Sequence, residues 1–194
     1  AETYFRKALQ SDSNFSYAYF NLGAIASGRN DNALAIKYYL KAVEKKPDYA
    51  DALNSLGVLN YSGKNYPVAE KYYKQALQVD SNYYLALYNL GLLYYYQPKT
   101  DYPNAERYLR RAISKNPSDS KSHYSLSLVL EDIGQISLAE KELLETVRLD
   151  SSYTNAFNAL GLLYKKQNKE ILAENYFKKA LASDSNFAYA YYNL

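Results

Sequence analysis

Hydrophobic and small residues recur along the chain at a fixed interval of 34 residues. Most intervals open with a Leu-Gly pair, which begins at Leu22, Leu56, Leu90 and Leu160. About a dozen residues later an alanine is followed by an aromatic residue, as in Ala35 and Tyr39, Ala69 and Tyr73, Ala173 and Phe177. A period of this length is typical of a solenoid, in which each repeat packs only on its neighbours. The pattern therefore predicts one repeat array and not a globular domain with a single central core.

The residue order within each period resembles the tetratricopeptide repeat, a helix–turn–helix unit. Full repeats lie at 16–49, 50–83, 84–119, 120–153 and 154–187, with partial repeats at 1–15 and 188–194. The resemblance implies an all-α fold: an α-solenoid with about a dozen helices in antiparallel pairs, forming a right-handed superhelix. The whole of residues 1–194 is predicted to be one array.

A position within a repeat is numbered as a slot, counted from the first residue of that repeat. Slot 20 is alanine in every repeat, at Ala1, Ala35, Ala69, Ala105, Ala139 and Ala173. Small residues let two helix backbones approach closely, while large neighbours fill the space beside them. Slot 20 is therefore predicted to lie where the two helices of a repeat pack most closely.

Two repeats depart from the pattern. Repeat four has Ser127 at slot 8, Thr146 at slot 27 and His123 at slot 4, which predicts looser local packing. Repeat three is two residues longer, and the extra length falls within 97–101, between its two helices. We expect this insertion to form a longer turn that leaves the stacking unbroken. The single histidine, His123, lies at a packing slot, so a buried structural role is favoured over proton transfer.

Composition and charge argue against several function classes. The net charge is only +3 and the charges are interspersed, so no basic stripe for nucleic acid is formed. No apolar run approaches the length of a membrane span. The absence of cysteine excludes disulfides and thiol catalysis, and one histidine cannot make a His/Cys zinc site. No phosphate loop or catalytic constellation is found, which predicts a non-enzyme without a cofactor. No signal peptide is visible, and a cytoplasmic location is the default expectation.

Tyrosine is unusually abundant, with 25 residues. Many occupy packing slots or the last slot of a repeat, where the ring fills the joint and the hydroxyl reaches water. The resemblance implies that slots 2, 5, 6, 9, 12 and 13 of each first helix line a concave groove. The predicted peptide-binding residues in these slots are Tyr17, Asn21, Asn54, Tyr61, Tyr88, Asn89, Tyr95, Tyr96, Tyr124, Asn158 and Lys165.

The composition of this surface suits a peptide ligand. Asparagine both donates and accepts, so a row of asparagines can pair with the backbone of an extended segment. Tyrosine adds contact area at low entropic cost. The alternative interpretation is that these asparagines only solvate an exposed helix face. We therefore predict a protein-interaction scaffold that binds an extended or helical peptide segment.

Two family functions can be compared with the residues. The two-carboxylate clamp of tetratricopeptide co-chaperones is absent, since slot 9 is never asparagine and slots 5 and 6 are never basic. Asn21, Asn89 and Asn193 at slot 6 give a partial resemblance to the superhelix of O-linked N-acetylglucosamine transferases. The first alternative function is therefore the substrate-recruiting arm of a larger enzyme. The second is a self-assembling structural array.

The two ends of the chain are nearly the same sequence. Residues 1–22 and 173–194 are identical at 17 of 22 positions. Complementary open ends predict head-to-tail contacts between molecules, which make rings or filaments. The predicted contact joins Tyr189, Tyr191, Tyr192 and Leu194 of one molecule to Tyr4, Phe5, Ala8 and Leu9 of the next.

Overall fold

The computed structural model describes all residues from 1 to 194. The fold is all-α, as the repeat pattern predicts, and no strand occurs. The helices are α1 (Glu2–Ser11), α2 (Ser16–Gly28), α3 (Asn32–Lys45), α4 (Ala50–Ser62), α5 (Tyr66–Val79), α6 (Tyr84–Tyr96), α7 (Tyr102–Lys115), α8 (Ser120–Asp132), α9 (Ile136–Leu149), α10 (Thr154–Lys166), α11 (Glu170–Ser183) and α12 (Ala188–Asn193).

The chain divides into two compact units, Ala1–Leu93 and Tyr94–Leu194. In the first unit α2 packs on α3 and α4 packs on α5, with α3 also against α4. In the second unit α8 packs on α9 and α10 packs on α11, with α7 against α8 and α9 against α10. Consecutive helix–turn–helix packing is therefore confirmed within each unit. The single array over residues 1–194 stays a prediction.

The turn inside each repeat has a fixed geometry. The slot-15 residue adopts positive φ at Asn30, Lys64, Gly134 and Asn168, a conformation that glycine and asparagine adopt most readily. The slot-16 N–H donates to the slot-11 carbonyl, as in the 2.8 Å bond from Gln135 to Leu130. In repeat three the N–H of Asp101 makes the same bond to the carbonyl of Tyr94, also at 2.8 Å. The two-residue insertion is therefore a longer turn that keeps the regular closing bond.

In repeats one, two and five, close helix packing rests on glycine at slot 8 and a ring at slot 24. A Cβ added to Gly57 would lie 2.4 Å from Cε1 of Tyr73, and one added to Gly161 would lie 2.3 Å from Cε1 of Phe177. These distances are far below van der Waals contact, so the ring occupies the space of the absent side chain. The slot-20 alanine Ala105 is fully buried, in agreement with its predicted place in the close-packed joint.

Repeat four is not loosely packed, contrary to the expectation from its unusual residues. Ser127, Thr146 and His123 are all buried. Each hydroxyl is satisfied inside its own helix, since Ser127 Oγ donates to the carbonyl of Tyr124 at 2.6 Å and Thr146 Oγ1 donates to that of Glu142 at 2.9 Å. A buried hydroxyl with a hydrogen-bond partner avoids the cost of desolvating an unpaired polar group.

Candidate peptide-binding surface

The asparagines of the first helices pair with one another. In the first unit Asn89 Nδ2, on α6, donates to Asn54 Oδ1, on α4, at 2.9 Å. In the second unit Asn193 Nδ2, on α12, donates to Asn158 Oδ1, on α10, at 3.0 Å. Both bonds run from slot 6 of one repeat to slot 5 of the repeat before it. The pairing leaves hydrogen-bonding capacity on each amide, because an asparagine has two donors and an acceptor.

The pairing changes what these side chains can offer a ligand. Asn54 is only 7% exposed, and its carbonyl oxygen is already used by Asn89. Asn21 Nδ2 donates instead to the carbonyl of Tyr17, one turn earlier on α2, at 2.8 Å. The predicted asparagine row is therefore partly committed to joining adjacent first helices.

Aromatic side chains of the second unit gather around one carboxylate, Asp132. Its Oδ2 accepts from the hydroxyl of Tyr95 at 2.9 Å and from that of Tyr102 at 3.5 Å. The rings of Tyr95 and Tyr96 lie 4.6 Å apart between centroids and are tilted by 65°. The ring of Tyr102 lies 6.3 Å from that of Tyr95. We name Tyr95, Tyr96, Tyr102 and Asp132 the tyrosine–aspartate patch.

The environment keeps the tyrosines of this region protonated. Burial, and then the hydrogen bond to Asp132, raise the pKa of Tyr95 well above its usual value. Burial, and then the charge of Asp132, also raise the pKa of Tyr96. The pKa of Tyr124 is raised by burial first and by Tyr96 and Glu131 after it. These hydroxyls are therefore neutral hydrogen-bond donors at physiological pH, and Asp132 supplies the charge of the patch.

In the two repeats that follow, the slots of Tyr95 and Tyr96 hold charged side chains. Slots 12 and 13 hold Glu131 and Asp132 on α8, then Lys165 and Lys166 on α10. Lys166 forms an ion pair with Glu131. Lys165 Nζ donates to the carbonyl of Asn193 at 2.9 Å. Asp132 has no ion-pair partner in the protein.

The structure brings together some of the predicted groove residues. Tyr95, Tyr96 and Tyr124 lie in one region of the second unit. Tyr17 is exposed on α2 near Phe5, with ring centroids 6.4 Å apart. In the first unit Tyr61 packs edge-on against Tyr66 at 5.7 Å, and Tyr88 is half-buried on α6.

The predicted peptide-binding residues include neither Tyr102 nor Asp132, although Asp132 occupies slot 13, a predicted groove slot. A signal for both was present. Tyr102 aligns with Tyr66 once the two-residue insertion is removed, and Asp132 follows Glu131 at a groove slot. Which side chains meet across two adjacent repeats was not encoded in the period itself.

The residues predicted to join two molecules lie at the ends of the chain. Tyr4, Tyr189, Tyr191, Tyr192 and Leu194 are exposed, whereas Phe5, Ala8 and Leu9 are half-buried. The head-to-tail contact proposed for them stays a prediction.

His123 is held between two acceptors. Its Nδ1 lies 2.6 Å from Oε2 of Glu142, and its Nε2 lies 3.0 Å from the carbonyl oxygen of Pro117. Because the ring is buried and both nitrogens are engaged, His123 joins α8 to α9 as a structural residue.

Two general features bear on other kinds of site. No group of three or more histidine, aspartate or glutamate residues is placed to hold a metal ion. None of the twelve helices combines the length and apolar character that crossing a bilayer would require.

Relatives were found for parts and for the whole of the chain. The human tetratricopeptide repeat protein 7B is 32% identical over 82 residues, which are 42% of this chain and 10% of that protein. The chain thus spans about a tenth of the length of the curated relatives that it matches.

Solved structures match over nearly the full chain. The YrrB structure, described as a tetratricopeptide repeat protein with an unusual peptide-binding site, superposes with a TM-score of 0.77 at 22% identity. That match covers 99% of this chain and 98% of YrrB. A structure of the Cut9–Hcn1 hetero-tetramer superposes with a TM-score of 0.83 at 20% identity, over 100% of this chain and 38% of that one. At these identities the likeness concerns the fold.

Family sequence patterns give the same result repeat by repeat. Tetratricopeptide repeat models match residues 1–50, 25–82, 88–154 and 154–187. Together with the recurrent helix–turn–helix packing, these matches establish that the chain belongs to the tetratricopeptide repeat family.

Proposed function

We propose that this chain is a protein-interaction module that binds an extended or helical peptide segment on its first-helix faces. The proposal rests on the difference between the residues at packing slots and those at groove slots. Packing slots hold buried alanine, leucine and ring side chains, whereas slots 5, 12 and 13 of the first helices hold tyrosines with exposed surface. Tyr96 is 53% exposed, and its neighbour Tyr95 is half-buried.

A large, rigid side chain at a partly exposed site favours recognition. Tyrosine is enriched at binding surfaces because it gives much contact area for few lost rotamers. The asparagine pairs add amide groups beside these rings, and amides match the backbone of a peptide. The YrrB structure, whose fold this chain shares, is described as having a peptide-binding site, which supports the same role for this fold.

The partner is proposed to be protein and not nucleic acid, and the role to be binding and not catalysis. The net charge is only +3, and several lysine and arginine side chains are paired with glutamates along the helices. A surface of this kind lacks the unpaired basic stripe that follows a phosphate backbone. The one histidine has both ring nitrogens occupied.

The test begins with selection of binding peptides from a displayed random library. The dissociation constant of the best peptides is then measured for two variants, Tyr96→Ala and Leu144→Ala. Leu144 is exposed on α9, a second helix, and serves as the control. Tyr96→Ala should weaken binding by about 1–3 kcal/mol, the effect of losing a central aromatic contact. Loss of binding with Leu144→Ala but not with Tyr96→Ala would place the site elsewhere and refute the proposal.

A further inference from the structure

Resting on the proposed function, we infer that the tyrosine–aspartate patch binds a cationic side chain, an arginine or lysine of the peptide ligand. The patch lies in the second unit, where Tyr95 and Tyr96 end α6, Tyr102 begins α7 and Asp132 ends α8. The inference goes beyond a general peptide-binding face because it assigns the chemistry of one ligand residue.

The carboxylate of Asp132 has no ion-pair partner. Asp132 is exposed and receives two tyrosine hydroxyls on Oδ2, while its Oδ1 has no donor from the protein. The adjacent carboxylate, Glu131, is neutralised by Lys166. A carboxylate oriented by two neutral donors can form charge-assisted hydrogen bonds to a guanidinium or ammonium group.

Aromatic rings lie around that charge. The rings of Tyr95 and Tyr96 are inclined by 65°, with centroids 4.6 Å apart, and the ring of Tyr102 lies 6.3 Å from that of Tyr95. A cation over the face of a tyrosine is attracted by the negative potential of the ring. Aromatic faces beside a carboxylate thus attract a cation from two directions.

The same arrangement disfavours other side chains. An acidic residue would be repelled by the carboxylate of Asp132. An apolar residue would cover the carboxylate without pairing it, and desolvating an unpaired charge is costly. Arginine and lysine, which carry a positive charge at neutral pH, satisfy both the rings and the charge.

The carboxylate distinguishes this patch from the equivalent position in repeat two. Repeat two has tyrosines at the slots of Tyr95 and Tyr102, namely Tyr61 and Tyr66, whose rings meet edge-on with centroids 5.7 Å apart. The corresponding slot 13 of the next repeat is Tyr96 and not an acidic residue. The combination of two slot-matched tyrosines with a following aspartate occurs only in the step from repeat three to repeat four.

The experiment titrates the chain, carrying ¹³C-labelled tyrosine rings, with two synthetic peptides. One is acetyl-Ala-Ala-Arg-Ala-Ala-amide and the other has citrulline, the neutral isostere, in place of arginine. The ring signals of Tyr95, Tyr96 and Tyr102 are assigned with single phenylalanine variants. The arginine peptide should shift these signals saturably, with an affinity at least about fivefold higher than that of the citrulline peptide.

Two variants separate the charge of the patch from charge in general. Asp132→Asn should reduce the affinity for the arginine peptide to that for the citrulline peptide. Glu140→Gln makes the same change of charge on α9, at a carboxylate that also accepts a tyrosine hydroxyl, from Tyr164 at 2.7 Å, and should leave the affinity unchanged. Equal affinities for the two peptides, or no effect of Asp132→Asn, would overturn the inference.

Two further arms assign the source of the cation and separate this inference from the proposed function. Tetramethylammonium chloride is titrated in the same way. If it shifts the same ring signals with a higher affinity than the arginine peptide, the ligand is a free small ammonium compound, and the assignment to a peptide side chain is overturned. Library-selected peptides that bind through Tyr96, yet tolerate Asp132→Asn and replacement of their basic residues, would refute the inference and leave the proposed function standing. Selected peptides that shift no first-helix ring would refute both.

Discussion

Repeats four and five have the same two-helix architecture but fill two coupled pairs of slots in different ways. At slots 8 and 24, repeat five has Gly161 beneath the ring of Phe177, whereas repeat four has Ser127 and Leu143. The smaller side chain at slot 24 makes room for a Cβ at slot 8. Phe177 and Leu143 are each only 1% exposed, so both solutions fill the joint.

The second pair shows the same exchange in polar form. At slots 4 and 23, repeat five has Phe157 and Tyr176, with ring centroids 6.4 Å apart. Repeat four has His123 and Glu142, joined by a 2.6 Å contact between Nδ1 and Oε2. In repeat four the unusual residue at slot 4 is therefore matched by its partner at slot 23 on the other helix.

The largest expected effect comes from placing the slot-4 residue of repeat five opposite the slot-23 residue of repeat four. His123→Phe leaves Glu142 without its partner in a largely buried position, and should lower the free energy of unfolding by about 2–4 kcal/mol. The measurement is urea unfolding followed by circular dichroism.

The matched variant transplants the complete pair of repeat five. His123→Phe combined with Glu142→Tyr should recover most of the lost stability, because both polar groups are replaced by rings that can pack together. A double variant no more stable than His123→Phe alone would contradict pairwise coupling of these slots.

The next largest effect is expected at slot 8 of repeat five. Gly161→Ala places a Cβ 2.3 Å from a ring atom of the buried Phe177, so the ring must move, at a net cost of about 1–3 kcal/mol. Gly28→Ala is the control, since nothing lies within 4 Å of the added atom. That change should be neutral or slightly stabilising because alanine favours the helix. Equal melting temperatures for the two variants would show that the ring does not depend on the glycine.

A smaller effect is expected when slot 8 of repeat four is changed to glycine and Leu143 is kept at slot 24. Ser127→Gly leaves space beside Leu143 and adds backbone entropy to the unfolded chain, and should cost about 1 kcal/mol. Ser127→Ala keeps the Cβ and serves as its control. If the glycine variant were the more stable of the two, the serine would not be filling the joint.

The smallest effect is expected at slot 27, where repeat four has Thr146 and repeat five has Ala180. Thr146→Ala removes a hydrogen bond to the carbonyl of Glu142 on the same helix. The gain in helix propensity, about 0.6 kcal/mol, offsets much of that loss. The free energy of unfolding, measured by thermal denaturation, should therefore change by less than about 1 kcal/mol. A loss above about 2 kcal/mol would show that the hydroxyl contributes more to stability than this.

Much of the fold could be predicted from the sequence because packing in a repeat array is local. The slot-20 alanines of the five full repeats, the Leu-Gly pairs and the insertion at 97–101 lie as their register predicts, whereas Ala1, the slot-20 alanine of the first partial repeat, is exposed. The expectation of looser packing in repeat four is wrong, because it considers Ser127 and His123 without the residues that face them. Their partners, Leu143 and Glu142, lie on the other helix of the repeat.

The binding surface could be predicted by slot but not by contact. Asn54 and Asn89 occupy groove slots in the sequence, yet their amides bond to each other. Asp132 follows Glu131 as one of two adjacent carboxylates in the sequence, and only the fold distinguishes the one paired with Lys166 from the one surrounded by tyrosines.

The sequence by itself therefore determined the repeat family, the helix register and the identity of the close-packed slots. A period of 34 residues specifies which positions of each helix turn towards its neighbours. The tertiary structure alone decided which side chains pair between helices, since hydrogen bonds, ion pairs and ring contacts depend on distances of a few ångströms between residues that lie apart in the sequence. The tyrosine–aspartate patch is such a case: its four residues are spread over residues 95–132 and meet only when α6, α7 and α8 are folded.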